Sequence, residues 1–160
     1  MMEENQWDTM PWVEEQLVNM GITPPTEPQY PCPGIEPGTL TTISSSQYTE
    51  TYERLLNWFG YMGEKTAYAK SMVLQCENEM KYIEVVTKKA LSDAGNKGPD
   101  GKKLTADAIT LRVESDPRYL ELMLISQKWR QLRDGLKGRL DTIEENLKVV
   151  SRQIEIRKLE

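Results

Sequence analysis

The 160-residue chain contains no histidine. That absence excludes Ser-His and Cys-His nucleophilic sites, HExxH zinc sites and any imidazole general base, since each needs a ring that titrates near neutrality. Cysteine is almost as scarce, with Cys32 and Cys76 alone. Two thiols build neither a four-thiolate zinc site nor a disulfide framework, and a reduced, cytoplasmic setting is the simplest expectation. No apolar run approaches the ~20 residues of a membrane span, so no membrane partner is expected. The start, Met1-Met2-Glu3-Glu4, lacks the basic opening and apolar core of a signal peptide. There is no P-loop and no GxGxxG, and the pair Glu144-Glu145 falls on the polar side of a helical pattern. No catalytic set, cofactor or metal site is expected, and the chain reads as a binding protein.

Basic residues are nearly missing from the first 63 positions. Arg54 stands there alone against nine acidic side chains, whereas residues 64–160 hold 19 basic residues and 16 acidic ones. The formal net charge of −5 therefore averages an acidic tail and a mildly basic body. Such asymmetry is a feature of interaction tails and polyanion-binding bodies. Seven of the nine prolines lie between Pro11 and Pro37. Each removes a donor and fixes φ, so residues 1–43 are expected to be an extended, acidic, Pro-rich tail. One short helix is expected within it at 10–20, where Thr9 caps, Pro11 opens and Gly21 closes the pattern. Trp7, Trp12 and Leu17 are the candidate docking residues of this tail.

Residues 44–160 are expected to be a helical body. Ser44 with Gln47 fits a capping box and Ile43 with Tyr48 a hydrophobic staple, which starts a helix over 44–91. Its seam reads Tyr48, Tyr52, Leu55, Phe59, Met62, Thr66, Ala69, Val73, Cys76, Met80, Ile83, Thr87, Ala90. The spacing alternates four and three throughout, as in a coiled coil. Gly60 and Gly63 interrupt it and are expected to bend it. A second stripe carries Trp58, Tyr61, Tyr68, Met72, Tyr82 and Val86, which suggests more than one packing partner. Residues 92–104 read as a loop rich in turn formers. Short and long helices follow at 105–114 and 117–158, the first capped by Thr105 and the second opened by Pro117. The last seam is Leu122, Ile125, Trp129, Leu132, Leu136, Leu140, Ile143, Leu147, Val150, Ile154, with one local stutter. The expected fold class is all-α: a long antiparallel helical hairpin, coiled-coil-like, behind an extended tail. Two helices bury little alone, so a homo-oligomer is expected, with Phe59, Met62, Val73, Trp129, Leu132, Leu136 and Leu140 in packing or assembly.

Two basic patches are candidate binding surfaces. Residues 128–139 carry five basic side chains against Asp134, with Arg130, Arg133 and Lys137 on one stripe. Gly135 and Gly138 cost about 1 kcal/mol each in a helix, a cost that close approach of another backbone would offset. Lys88, Lys89, Lys97, Lys102 and Lys103 bracket the loop. Such patches neutralise phosphates, and nearby Tyr and Trp rings can stack single-stranded bases. The plain alternatives are a solvated basic face and a Trp129 that serves the core.

Asp116, Leu120, Gln127, Lys128, Trp129, Leu132, Asp134, Gly138, Leu140, Asp141 and Ile143 occur in an order and spacing that resembles the UvsY-type recombination mediators of tailed phages. Lys88-Lys89-Ala90-Leu91-Ser92-Asp93 before a Gly- and Asp-rich loop is similar to the basic end of that family's first helix. The likeness spans about residues 60–155 and leaves out the acidic tail. It implies an all-helical protein that forms ring-like homo-oligomers and binds single-stranded DNA. It also implies a partner, a RecA-like recombinase, which the family helps to replace single-strand binding protein. The expected setting is then the cytoplasm of an infected bacterial host. Lys88 and Lys89, with Lys102, Lys103, Arg130, Arg133 and Lys137, are the expected DNA-contacting residues. The alternatives are a structural coiled-coil or phage assembly protein, and an inhibitor whose acidic tail mimics DNA. The tail itself either docks on a partner or folds back and competes with DNA.

Overall fold

The computed structural model describes residues 26–35 and 43–158. Its helices are α1 (Ser45–Asp93), α2 (Ala106–Glu114) and α3 (Pro117–Lys158), and no strand occurs among the described residues. The all-helical class expected from the seams is what these residues adopt. The short helix expected at 10–20, with Trp7, Trp12 and Leu17, lies outside the described residues.

The helix ends follow local rules. Before α1 the Ser44 amide donates to Gln47 Oε1 at 2.7 Å, and the Gln47 amide donates back to Ser44 Oγ at 3.4 Å. This reciprocal pair satisfies two donors that the first turn leaves orphaned. Thr105 Oγ1 accepts from the Ala108 amide at 3.2 Å and starts α2. Asp116 starts α3, accepting from the Arg118 and Tyr119 amides at 2.8 and 3.2 Å. Pro117 follows at the first helical position, where a missing N–H costs nothing.

α1 runs through Gly60 and Gly63, and α3 through Gly135 and Gly138, each as one helix. A Cβ at any of the four would meet no atom within 4 Å. Gly60, Gly135 and Gly138 are exposed beside the seams, so no described backbone packs closely against them.

The chain divides into two compact units. The first holds residues up to Tyr68 and from Leu136 onward. Its core is Tyr48 and Leu55 of α1 with Ile143 and Val150 of α3. Tyr52, Phe59, Met62, Leu147 and Ile154 pack around it, as do Ile35 and Ile43. Arg157 closes this core. Its guanidinium lies 4.5 Å from the centre of the Tyr48 ring and donates to the Ile43 carbonyl at 2.8 Å. A cation over a desolvated ring is worth about 1–2 kcal/mol, and the same contact ties α3 to the entry of α1.

The second unit comprises Ala69–Gly135. Ala69, Val73 and Cys76 of α1, Val113 of α2, and Leu122 and Ser126 of α3 are buried in it. Glu77 of α1 pairs with Arg130 of α3, and Glu79 with Arg118 at 3.3 Å. Both seams behave as their spacing requires: every position named above except Ala90 is buried or half-buried. Phe59, Met62, Trp129, Leu132, Leu136 and Leu140 are all half-buried, and Val73 is buried.

Leu55 has no exposed surface, and its neighbour Leu56 is 44% exposed. Leu55→Ala is expected to cost about 2–5 kcal/mol by urea unfolding. Leu56→Ala is expected to stay within about 0.5 kcal/mol, as surface changes do.

Candidate nucleic-acid interface

The residues that follow α1 form a built structure rather than an open loop. The Asn96 amide donates to the Leu91 carbonyl and the Gly95 amide to the Ser92 carbonyl, both at 2.8 Å. This is a Schellman closure, and it needs a left-handed residue, which Gly95 supplies at φ 77°. Lys97 then pairs antiparallel with Lys103 in an isolated bridge. The Gly98 amide donates to the Lys102 carbonyl at 2.8 Å, and the Leu104 amide to the Asn96 carbonyl at 2.7 Å. The tip is Gly98-Pro99-Asp100-Gly101, closed by the Gly101 amide on the Gly98 carbonyl at 2.9 Å. Pro99 presets φ at the second position, and Gly101 takes φ 74° at the fourth. Asp100 Oδ1 accepts from the Lys102 amide at 3.1 Å and braces the return. Gly98 is tightly surrounded: a Cβ would lie 3.0 Å from Asp100 Oδ1 and 3.3 Å from Leu104 Cδ2, so those side chains would have to give by a few tenths of an ångström.

This miniature hairpin carries Lys97, Lys102 and Lys103, all exposed, next to Lys88 and Lys89 at the end of α1. Among the described residues no carboxylate forms an ion pair with Lys89, Lys97, Lys102 or Lys103. Lys88 is different, because it pairs with Glu84 one turn back. That hydrogen bond, with the lysine's charge, holds the Glu84 carboxyl below its ordinary value. A carboxylate with a lowered pKa stays ionised well into mildly acidic pH, so the pair persists there and is lost only as pH falls through the lowered value.

The mid-helix patch expected on α3 is less available. Arg130 is committed to Glu77, and Arg133 to Asp134 at 2.8 Å. Lys137 is exposed and has no such partner among the described residues. Glu77 precedes Lys88 by eleven residues, about 16 Å of helix rise, so Arg130 and the lysine hairpin form separate patches. Trp129 lies half-buried on its seam and serves packing.

A second locus involves the described part of the tail. Trp58 Nε1 donates to the Tyr30 carbonyl at 2.7 Å, and the Arg54 guanidinium lies 4.5 Å from the centre of the Tyr30 ring. A cleft of about 500 Å³ remains between residues 26–30 and Arg54, Asn57 and Trp58. This stretch folds back onto Arg54 and Trp58 of its own unit. Cys32 is exposed, whereas Cys76 is buried on its seam, as expected. Desolvation, reinforced by Glu79, pushes the Cys76 thiol up, so it stays protonated and acts as a small apolar side chain.

No cluster of three or more metal-ligating side chains occurs among the described residues, and no described helix is long and apolar enough to cross a membrane. No family model, curated protein or solved structure matches this chain.

Glu84→Gln releases Lys88 from its partner while keeping side-chain size. The substitution is expected to tighten binding of single-stranded DNA at low salt by a factor of roughly 2 to 5, the scale of one exposed ion pair. Fluorescence anisotropy with a labelled oligonucleotide measures this.

Proposed function

We propose that this protein is a non-enzymatic, self-associating helical mediator that binds single-stranded DNA through its lysine hairpin. The observation that carries the reading is the Lys97–Lys103 bridge, which fixes exposed lysines on a braced turn beside Lys88 and Lys89. A fixed basic tip reaches phosphates without first ordering a loop, so less entropy is lost on binding. Trp129, Arg130 and Arg133 are engaged in packing or ion pairs, which moves the weight of the DNA site to Lys89, Lys97, Lys102 and Lys103, with Lys88 joining them once it leaves Glu84. The fold in this reading is an antiparallel helical hairpin. It is supported within each unit by its own contacts: Tyr48 meets Arg157 in one, and Glu77 and Glu79 meet Arg130 and Arg118 in the other.

Several copies together present several weak sites to one strand, and avidity multiplies them. The bound strand is thereby offered to a RecA-like recombinase, which loads in place of single-strand binding protein. The partners and the cytoplasm of an infected cell belong to this proposal through the resemblance of residues 60–155 to the mediators. A coiled-coil assembly protein acting by protein contact alone is the competing reading, favoured by the large apolar residues exposed on the second unit.

A salt titration separates the two. The log of the binding constant for a labelled single strand should fall linearly with log salt, and Lys102→Gln with Lys103→Gln should flatten the slope by about 1.4. Circular dichroism should be unchanged by that pair. Absence of binding at low salt, or affinity indifferent to salt, overturns the mediator in favour of the assembly protein.

A further inference from the structure

Residues 26–35 are a proline-bearing segment without helix or strand, seated on α1 of their own unit. Pro28, Pro31 and Pro33 fix φ, and an extended segment of this kind makes no hydrogen bonds within itself. Its backbone finds one partner on the helix. Trp58 Nε1 donates to the Tyr30 carbonyl at 2.7 Å, and among the described residues no other hydrogen bond joins 26–35 to α1. Side chains set the register. The Tyr30 ring lies under the Arg54 guanidinium, and Ile35 packs against the core of Tyr48, Leu55, Ile143 and Val150. Burial, and then the nearby Glu27 carboxylate, push the Tyr61 hydroxyl up, so Glu27 stands by Tyr61. Residues 27–30 therefore run antiparallel to α1.

The receiving surface is aromatic. Tyr61 stands edge-on to Trp58 at 5.8 Å, and Lys65 lies 5.2 Å from the centre of the Tyr61 ring. An aromatic-lined groove is how folded domains read proline-rich segments, which are preformed and lose little entropy on docking. Here an indole N–H adds a bond to the backbone carbonyl before Pro31. The fit is loose. Tyr30 is 56% exposed, and the cleft of about 500 Å³ separates residues 26–30 from Arg54, Asn57 and Trp58. The groove is thus larger than the segment in it. Arg54 is paired with Glu50, and Glu53 and Glu64 flank the stripe, so a phosphate backbone is a poor occupant.

We propose that the Arg54–Trp58–Tyr61 face of α1 is a docking groove for a proline-rich segment of a partner protein, and that residues 26–35 occupy it in cis until that segment replaces them. The seated segment states the chemistry required. The partner brings an aromatic residue followed by proline, as Tyr30-Pro31 does, and an acidic residue three positions earlier, as Glu27 is. Its advantage over the cis segment is a bulkier side chain that enters the cleft. The groove uses no residue of the lysine hairpin, so this proposal stands apart from the DNA site.

A labelled peptide copying residues 26–35, with Cys32→Ser, tests this on the full chain by fluorescence anisotropy. Tyr30→Gly with Pro31→Gly in the protein frees the groove. That variant is expected to bind the peptide about tenfold more tightly than the unmodified chain, as when a cis occupant at ~1 mM effective concentration competes with a trans affinity of ~0.1 mM. Adding Trp58→Phe to it keeps the ring and removes the N–H, and is expected to weaken binding about fivefold, the scale of one hydrogen bond. Within the peptide, Tyr30→Gly should abolish binding, and Gln29→Trp should tighten it roughly threefold by burying an aromatic ring in the cleft. These peptide variants leave the protein untouched, so they decide the matter even if Trp58→Phe perturbs folding. No binding to the freed variant, equal binding to the unmodified and freed chains, or binding indifferent to the peptide's tyrosine overturns the proposal. So does displacement of the peptide by single-stranded DNA, which would make the groove a nucleic-acid site. A peptide that splits an assembly of unmodified chains, read by analytical ultracentrifugation, would assign the groove to a second copy's segment and overturns the partner. The salt titration of DNA binding reports on the lysine hairpin alone, so failure of that reading and failure of this one are told apart.

Discussion

Burial of two helical seams is the interaction on which everything else in this chain depends. A pair of helices presents only one narrow apolar stripe to each partner, and two-helix cores are correspondingly thin. Leu55 and Val150 are fully buried, but most seam residues are only half-buried. Chain entropy opposes this burial at about 1–2 kcal/mol per residue, so edge contacts carry unusual weight. Arg157 over Tyr48 and Glu77 against Arg130 are such contacts: they stand at the rim of the cores and join helices far apart in sequence.

The same thinness explains the exposed apolar surface. Once one face of α1 meets one face of α3, nothing within the unit remains to cover Leu74, Tyr82, Leu120 or Leu124. Contiguous exposed apolar surface of this kind is uncommon on monomers. The basic tip stands apart from that problem. It is held by backbone hydrogen bonds and by three left-handed residues, Gly95, Asn96 and Gly101, and it needs little core of its own. The exposed apolar rows and the charged tip thus stand on one scaffold, and neither is needed to hold the other in place.

Charge shows how pairing reshapes a composition. Arg130, Arg133 and Lys137 look equivalent as letters on a stripe, yet two of the three are held by carboxylates. Lys102 and Lys103 look like ordinary loop residues, yet they stand free on a braced turn. An ion-paired arginine must break its contact before it meets a phosphate, whereas a free lysine releases counterions directly.

Features that depend on near neighbours were determined by the sequence itself. The Ser44–Gln47 box, the Thr105 and Asp116 caps and both seams arise from groups two to seven residues apart, and helical geometry brings those together wherever the chain lies. The ends of α1 and α3 were legible for that reason, as was the burial of Cys76. Only the tertiary structure decided that Glu77 takes Arg130, that Trp58 holds the Tyr30 carbonyl and that Arg157 reaches Ile43, contacts across 53, 28 and 114 residues. It also decided that no described backbone packs against Gly135 and Gly138. The lysine hairpin sits between the two cases: Gly98-Pro99-Asp100-Gly101 announced a turn, but its pairing needed α1 to end at Asp93 and the chain to double back through left-handed Gly95. Periodicity names the face that a helix buries, and only the folded chain supplies what that face meets.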